Sequence, residues 1–443
     1  MRLSSWLLVG LLLVASRPLA GLDEASVKRG EPQREGRAWV ERSVCVAPAR
    51  EGGRLVLRAD FGSVKVVTGR NDRVDCRVRL RVFKPSEEEA KRFFRRIELG
   101  VRMLEGGGVY ILERYPREYE RTEWSAVDFE LSVPPRFNLD METKGGDVAV
   151  ASLDGELHAV TAGGDVQAGD VTGPVQVETA GGDINLGNIG QRLVAQTAGG
   201  GIWVDNIKGD ATLETSGGLI SAGMIDGSVR ADTSGGDIVL RGASGPVTAE
   251  TAGGQIQIGP CGAGIRAETA GGSIRLQGAK GVVVVETAGG SIDLYRMQGA
   301  VRAENASGRI LAEIEANRES FAASHLETSV GDVQVFIPPD LPLNIDALIE
   351  QSLGHKILSD FPLHLFAENE EDFGQGPKRG EGALNGGGKV LRIRTVMGNI
   401  EIRKIDSRFL EQIKARQEAF WKRWEEEQKA HKLKYQVSTS KPD

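Results

Sequence analysis

Seven carboxylates, Glu178, Glu214, Asp232, Glu250, Glu268, Glu286 and Glu304, fall at multiples of 18 residues from one another, and Gln196 takes the remaining place in the series. A row of carboxylates gathers hard oxygen ligands, the donor type that suits calcium and other hard divalent cations. If successive members stood as far apart as paired strands, about 4.8 Å, each neighbouring pair would repel by roughly 0.9 kcal/mol even in water. A bound cation or cationic ligand would relieve that repulsion. Arg230, Arg266 and Arg302 precede Asp232, Glu268 and Glu304 by two residues, and residues two apart on a strand share a face. The series therefore also reads as a solvated surface that neutralises itself.

Other chemistry-bearing residues form no constellation. Asp147, Asp165, Asp183 and Asp237 each follow a Gly-Gly pair. Clustered acids of this kind serve polysaccharide-processing enzymes built on β-helices, but beside glycine corners they read more simply as turn residues. The five histidines (158, 325, 355, 364 and 431) lack metal-ligand spacing, and no G-x-S-x-G elbow occurs. The calcium-roll phrase GGxGxDxUx is matched only in its first glycines. Cys45 and Cys76 could pair in an oxidising compartment, though the third thiol, Cys261, makes the count odd. The sequence assigns no catalytic residue, no cofactor and no metal centre.

These residues sit in an internal repeat. Thr143, Thr161, Thr179, Thr197, Thr215, Thr233, Thr251, Thr269, Thr287 and Asn305 are separated by nine equal intervals of 18 residues. Fixed self-similarity of this sort marks a stacked array. Numbering from the Thr, position 4 is always glycine: Gly146, Gly164, Gly182, Gly200, Gly218, Gly236, Gly254, Gly272, Gly290 and Gly308. Position 3 is glycine in all copies but the last, which has Ser307. Position 6 is always Val or Ile, and positions 15 and 17 are apolar except at Glu319. Apolar residues two apart on both sides of a glycine corner predict two short strands per repeat. The glycines supply either positive φ or room for close backbone approach. A hairpin meander tolerates loops of any length, whereas a stacked coil loses register with one insertion, so the equal intervals favour a β-solenoid. Ten coils would make a rod about 48 Å long. By this register the Thr points inward as a hydroxyl ladder, and Cys261 at position 11 is a buried thiol.

Flanking segments complete the organisation. Residues 1–20, MRLSSWLLVGLLLVASRPLA, have the basic start and short apolar core of a secretory leader, cleaved after Ala20 or Ser16 or retained as an anchor. No other stretch reaches the roughly 18 apolar residues of a membrane span, so an exported protein without a transmembrane segment is expected after leader removal. The net charge of −7 is not that of a nucleic-acid binder. Residues 21–36 read as a linker and 37–135 as an α/β cap. In that cap VDCRVRLRV alternates, and Ser86 with Glu89 forms a capping box opening a helix over 86–98 with Phe93, Phe94 and Ile97 inward. Ten repeats span 136–322. Residues 323–405 form a second cap, within which the Gly-rich, charged 368–389 reads as a mobile loop. Residues 406–443 form a helical tail. Its stripe of Leu410, Ile413, Phe420, Trp421 and Trp424 suits docking on the solenoid or self-association.

The tandem TAGGDI phrase, the VPP strand at 129–142 and the closing LRIRTVMGNIEIRK together resemble the DUF4097 adhesin-type family of bacterial envelope proteins, over about residues 37–405. That resemblance implies a right-handed single-stranded parallel β-helix outside the cytoplasmic membrane. It carries no catalytic residues across, and the tail lies beyond it. The expected function is a non-catalytic envelope-binding, adhesin-like or scaffold module, with an envelope polysaccharide or protein as partner. A polysaccharide-processing enzyme and a periplasmic envelope-stress sensor are the alternatives.

Overall fold

A computed structural model describes residues 24–115, 125–367 and 376–440; the expected leader lies outside the described residues. Each repeat makes one coil. A strand such as Val247–Thr251 closes at the Thr, the glycine corner turns the chain, and a strand such as Ile256–Ile258 follows. Position 11 adds a third side, a column of one-residue parallel bridges that includes Cys261. Every coil pairs with the next in parallel at a shift of 18, as in Val247 with Ile265 and Ile256 with Ile274. The chain is thus a solenoid of two long sheets, with 19 and 18 strands among the described residues, and not a hairpin meander. We call them the short-strand and long-strand sheets.

The inward alternation follows the sequence pattern: Ile256, Ile258, Ile265 and Ala267 are at most 2% exposed. Close approach is the role common to the position 4 glycines, of which only Gly146 and Gly308 also have a φ in the left-handed range. A Cβ on Gly254 would stand 1.9 Å from the carbonyl oxygen of Gly236, and this glycine is not in the left-handed region. A Cβ on Gly253 would meet Gly235 O at an ordinary 3.5 Å. The Thr staples the corner: Thr251 Oγ1 donates to Gly236 O at 3.0 Å and accepts from Gly254 N–H at 3.2 Å. Each buried corner carbonyl in the repeat is satisfied this way by the following coil, as buried backbone requires.

The stack continues past the exact repeats. Residues 54–68, and Gly108–Arg114 together with Ser125–Val133, expected within the first cap, run as parallel coils, and so do 324–337, 343–359 and 390–404. Fifteen levels result, a rod of about 67 Å at roughly 4.8 Å per step. At both ends the order in space departs from the order in sequence. The coil of Gly108–Arg114 and Ser125–Val133 lies outside coil 54–68, so the chain from Val133 to Asn138 steps across one level. Coil 343–359 lies outside coil 390–404, so the chain from Ile337 to Leu343 does the same. Each step carries a Pro-Pro pair, Pro134-Pro135 and Pro338-Pro339. Proline, lacking an N–H, suits backbone that leaves one ladder without having joined the next.

Antiparallel strands close the ends. Arg73–Val82 and Ala38–Pro48 extend the short-strand sheet, and Glu98–Leu104 borders the long-strand sheet. Helix α1 (Glu87–Arg96) starts at Ser86, whose Oγ accepts from Glu89 N–H at 3.3 Å, and buries Phe93 and Phe94, with Ile97 at its end also buried. At the other end Lys378–Leu384, expected in a mobile loop, is a strand antiparallel to both Leu343–Ile349 and His364–Ala367. Its glycines make room and not slack: a Cβ on Gly382 would stand 2.6 Å from Leu363 Cδ2. Within that expected loop, 368–375 lie outside the described residues.

Helix α2 (Ser407–Ser440) lies along the outer face of the short-strand sheet. Ile413 packs with Tyr295 and Leu311 at one end; at the other, His431 stacks on Trp203 with centroids 3.9 Å apart. Eighteen helical residues rise about 27 Å, close to the roughly 29 Å of the six strand steps between those contacts. Between them Trp421 Nε1 donates to Gln277 Oε1, Arg241 lies over the Trp421 ring at 4.6 Å, and Trp424 Nε1 donates to Ser221 Oγ at 3.0 Å. Of the residues expected to serve self-association, Ile413 and Trp424 are spent on the chain's own sheet, Phe420 is half-buried and Leu410 is exposed. No described helix is long and apolar enough to cross a membrane.

Candidate functional site

Inward positions 15, 17 and 1 leave positions 16 and 18 on the outside of the long-strand sheet. The exact shift of 18 then stacks Asp232, Glu250, Glu268, Glu286 and Glu304 as direct neighbours, and Glu327 of the following coil continues the column. Five steps of about 4.8 Å make this row roughly 24 Å long. Arg394 takes the next place beyond Glu327 and ends it.

A trough of about 950 Å³ runs beside the row. The carboxylates form one wall, and the facing lip is Ser234, Ala252, Ala270, Ala288, Ala306 and Ser329, with the Thr column as floor. The trough exists because positions 2 and 3 are so small. Sterically the position 3 glycines are free to carry a side chain, yet a side chain there would stand at this lip. The lip carries only Ser and Ala side chains, and the charged groups that line the trough are all carboxylates.

The wall alternates in charge pairing. Arg230 meets Asp232 at 3.0 Å, Arg302 meets Glu304 at 2.6 Å, His325 meets Glu327 at 2.7 Å, and Arg266 pairs with Glu268. On the intervening strands position 16 is Thr248 or Val284, and among the described residues neither Glu250 nor Glu286 forms an ion pair. The pairs are half-exposed, so each contributes at most about 1 kcal/mol and can be exchanged for a ligand cation at low cost. The carboxylates lie side by side: among the described residues no three His, Cys, Asp or Glu converge on a metal-sized point. Glu178 and Glu214 belong to the same column but lie below the trough, where Gln196 Nε2 donates to Glu214 Oε2 at 2.7 Å.

The position 5 aspartates are brought into line elsewhere, at the corner leading to the short-strand sheet. Asp147 Oδ1 accepts from Asp165 N–H at 3.0 Å, Asp165 from Asp183 N–H at 2.8 Å, Asp183 from Gly201 N–H at 2.8 Å, and Asp237 from Gln255 N–H at 2.7 Å. They are inter-coil staples. Cys261 is buried, its thiol pushed up by burial, with Sγ 3.2 Å from Gly245 O. His158, His325 and His431 meet Asp140, Glu327 and Asn185 respectively and do not approach one another.

Sequence reasoning missed the surface beneath α2. Position 7, the outward residue of each short strand, runs Ala149, Gln167, Asn185, Trp203, Ser221, Val239, Gln257. No charge occurs until Arg275, whereas the outward positions of the long strands beside the trough are charged or polar except at Val284. An uncharged outward column is the signal of a covered face, and Asn185, Ser221 and Gln257 are indeed buried.

No protein-family model and no curated protein matches the chain. Among solved structures it is similar to one described as a "putative cell adhesion protein" from Clostridium sporogenes ATCC 15579. The two are 8% identical, the match covers 82% of this chain and 99% of that one, and the TM-score is 0.15.

Proposed function

We propose that the protein is an exported, non-catalytic β-solenoid of the DUF4097 adhesin type that binds an extended, positively charged chain at the bacterial cell envelope. The observation that carries this reading is the trough: six stacked carboxylates from Asp232 to Glu327 beside a lip without bulky side chains. A straight groove with one repeated charge favours a ligand that repeats the opposite charge, such as an amine-bearing polysaccharide or a basic protein strand. Rigidity supports the same reading, because a preformed groove spends little ordering entropy on binding. The position 5 aspartates, the other acids that could serve chemistry, are held by backbone N–H groups.

The test is co-sedimentation of the full chain lacking residues 1–20 with bacterial cell walls, outer membranes and insoluble polysaccharides, with supernatants assayed for new sugar ends. Salt-sensitive sedimentation without released ends is the expected result. Released sugar ends would replace this reading with a polysaccharide-processing enzyme. Failure to sediment with any fraction would contradict an envelope ligand.

A further inference from the structure

A second concave site lies between α2 and the short-strand sheet, on the opposite side of the solenoid from the trough. It is a cavity of about 360 Å³ whose walls include Trp203, Phe420 and Trp424, and whose floor includes Ser221, Gln255 and Gln257. That volume falls in the lower part of the usual small-molecule range, roughly 300–1,000 Å³. Gln257 is 6% exposed and its Nε2 has no partner. Elsewhere under α2, outside this cavity, Asn185 Nδ2, Gln277 Nε2 and Gln417 Nε2 are also buried without a partner, so Gln257 is the one such donor that lines it. All four are donors. For Gln277 the assignment is fixed, since its oxygen accepts from the Trp421 indole. Natural proteins seldom bury such groups unmatched, so an occupant that brings acceptor oxygens is called for.

We propose that this cavity binds a neutral saccharide of one or two pyranose rings. Three requirements meet in that chemistry. The occupant must offer acceptor oxygens to the Gln257 amide. It must also present an apolar face to the aromatic walls, and a pyranose ring shows C–H groups on one face with hydroxyls around its edge. Finally it must be uncharged or nearly so, because Asp237 and Glu427 stand at the same cavity and disfavour an anion, while the unpaired Gln257 donor disfavours a cation. The site depends on α2, since Phe420 and Trp424 come from the helix. It is independent of the trough and of what the trough binds.

The experiment is calorimetric titration of the full chain lacking residues 1–20 with N,N′-diacetylchitobiose, cellobiose and maltose, with tryptophan fluorescence as a second readout. Saturable binding of at least one disaccharide is expected, with a change in emission from Trp203 and Trp424. Gln257→Leu keeps the side-chain volume and breaks no hydrogen bond to α2, and should weaken binding tenfold or more with little change in melting temperature. Gln257→Glu, which replaces the donor by an acceptor, should also weaken binding, here with a lowered melting temperature because the carboxylate is buried beside Asp237 and Glu427. No saturable binding by any of the three sugars, or equal affinity in both variants, overturns the proposal.

Discussion

Replacing Gly254 by alanine places a Cβ 1.9 Å from Gly236 O and 2.4 Å from its carbonyl carbon, where real Cβ contacts stay beyond 3.0 Å. The two coils must therefore separate locally by about 1.1 Å, the difference between 3.0 and 1.9. Four inter-coil bonds cross that gap: Thr251 Oγ1 to Gly236 O at 3.0 Å, Ile238 N–H to Gln255 O at 2.8 Å, Gln255 N–H to Asp237 Oδ1 at 2.7 Å and Gly253 N–H to Ser234 O at 3.2 Å. Opening the gap stretches the first two, which involve the buried Thr251 and Ile238, beyond bonding distance; the other two join exposed residues. At roughly 1–3 kcal/mol for each buried group left unmatched, the cost is about 2–6 kcal/mol. Gly253→Ala is the control: its Cβ meets Gly235 O at 3.5 Å, and the change should stay within about 0.5 kcal/mol. Because stacked arrays can open in parts, the readout is amide exchange across residues 229–276, supported by denaturant unfolding of the full chain. Much faster exchange in Gly254→Ala, confined to the coils next to Gly236, is expected. Equal protection in Gly254→Ala and Gly253→Ala would refute close approach as the reason for the position 4 glycines.

Thr251→Val removes the hydroxyl that serves both Gly236 O and Gly254 N–H and should destabilise by roughly 1–3 kcal/mol, whereas Thr251→Ser should retain most of the stability; denaturant midpoints decide. Burial pushes the Glu113 carboxyl up to about 7, although its Oε2 accepts from Asp60 N–H at 2.9 Å. A folded-state value raised above the unfolded one means that stability is full below the ordinary carboxylate range and is lost as pH climbs to about 7. The substitution Glu113→Gln should remove that decline, worth roughly 3 kcal/mol, and a pH series of melting temperatures parallel in both proteins would refute it. Cys45 and Cys76 are buried and lie directly opposite on antiparallel strands, the close pairing from which a disulfide can form. Protein collected from an oxidising compartment should show the loss of two hydrogens in intact mass and one remaining thiol, Cys261; three free thiols would refute the pairing.

Much of the solenoid is legible because its signals are local and repeated. The interval of 18 fixes the coil, the alternation at positions 6, 8, 15 and 17 fixes the inward side, and Ser86 with Glu89 fixes the start of α1. What is illegible depends on contacts distant in sequence. Nothing local in 108–114 and 125–133 tells that this coil stacks outside 54–68, because the outcome depends on which strand edges compete for it. The strand Lys378–Leu384 is hidden by its glycines, which composition reads as slack but which make room for Leu363. The acidic column is plain in the sequence, yet the trough beside it is not: it arises from the smallness of Ala252, Ala270 and Ala288, residues that draw no notice alone. The α2 stripe is readable, but its partner is not until position 7 is known to face outward and carry no charge.

The most direct measurement of the central claim is envelope co-sedimentation by the full chain lacking residues 1–20, compared with a variant carrying Glu250→Gln, Glu268→Gln and Glu286→Gln. These three neighbours make the middle of the trough wall and take no part in the inward core. The account predicts that the variant folds with the same circular dichroism spectrum but loses most of its binding, and that wild-type binding falls with added salt as exposed charges are screened. Undiminished binding by the triple variant would contradict the trough as the site of attachment.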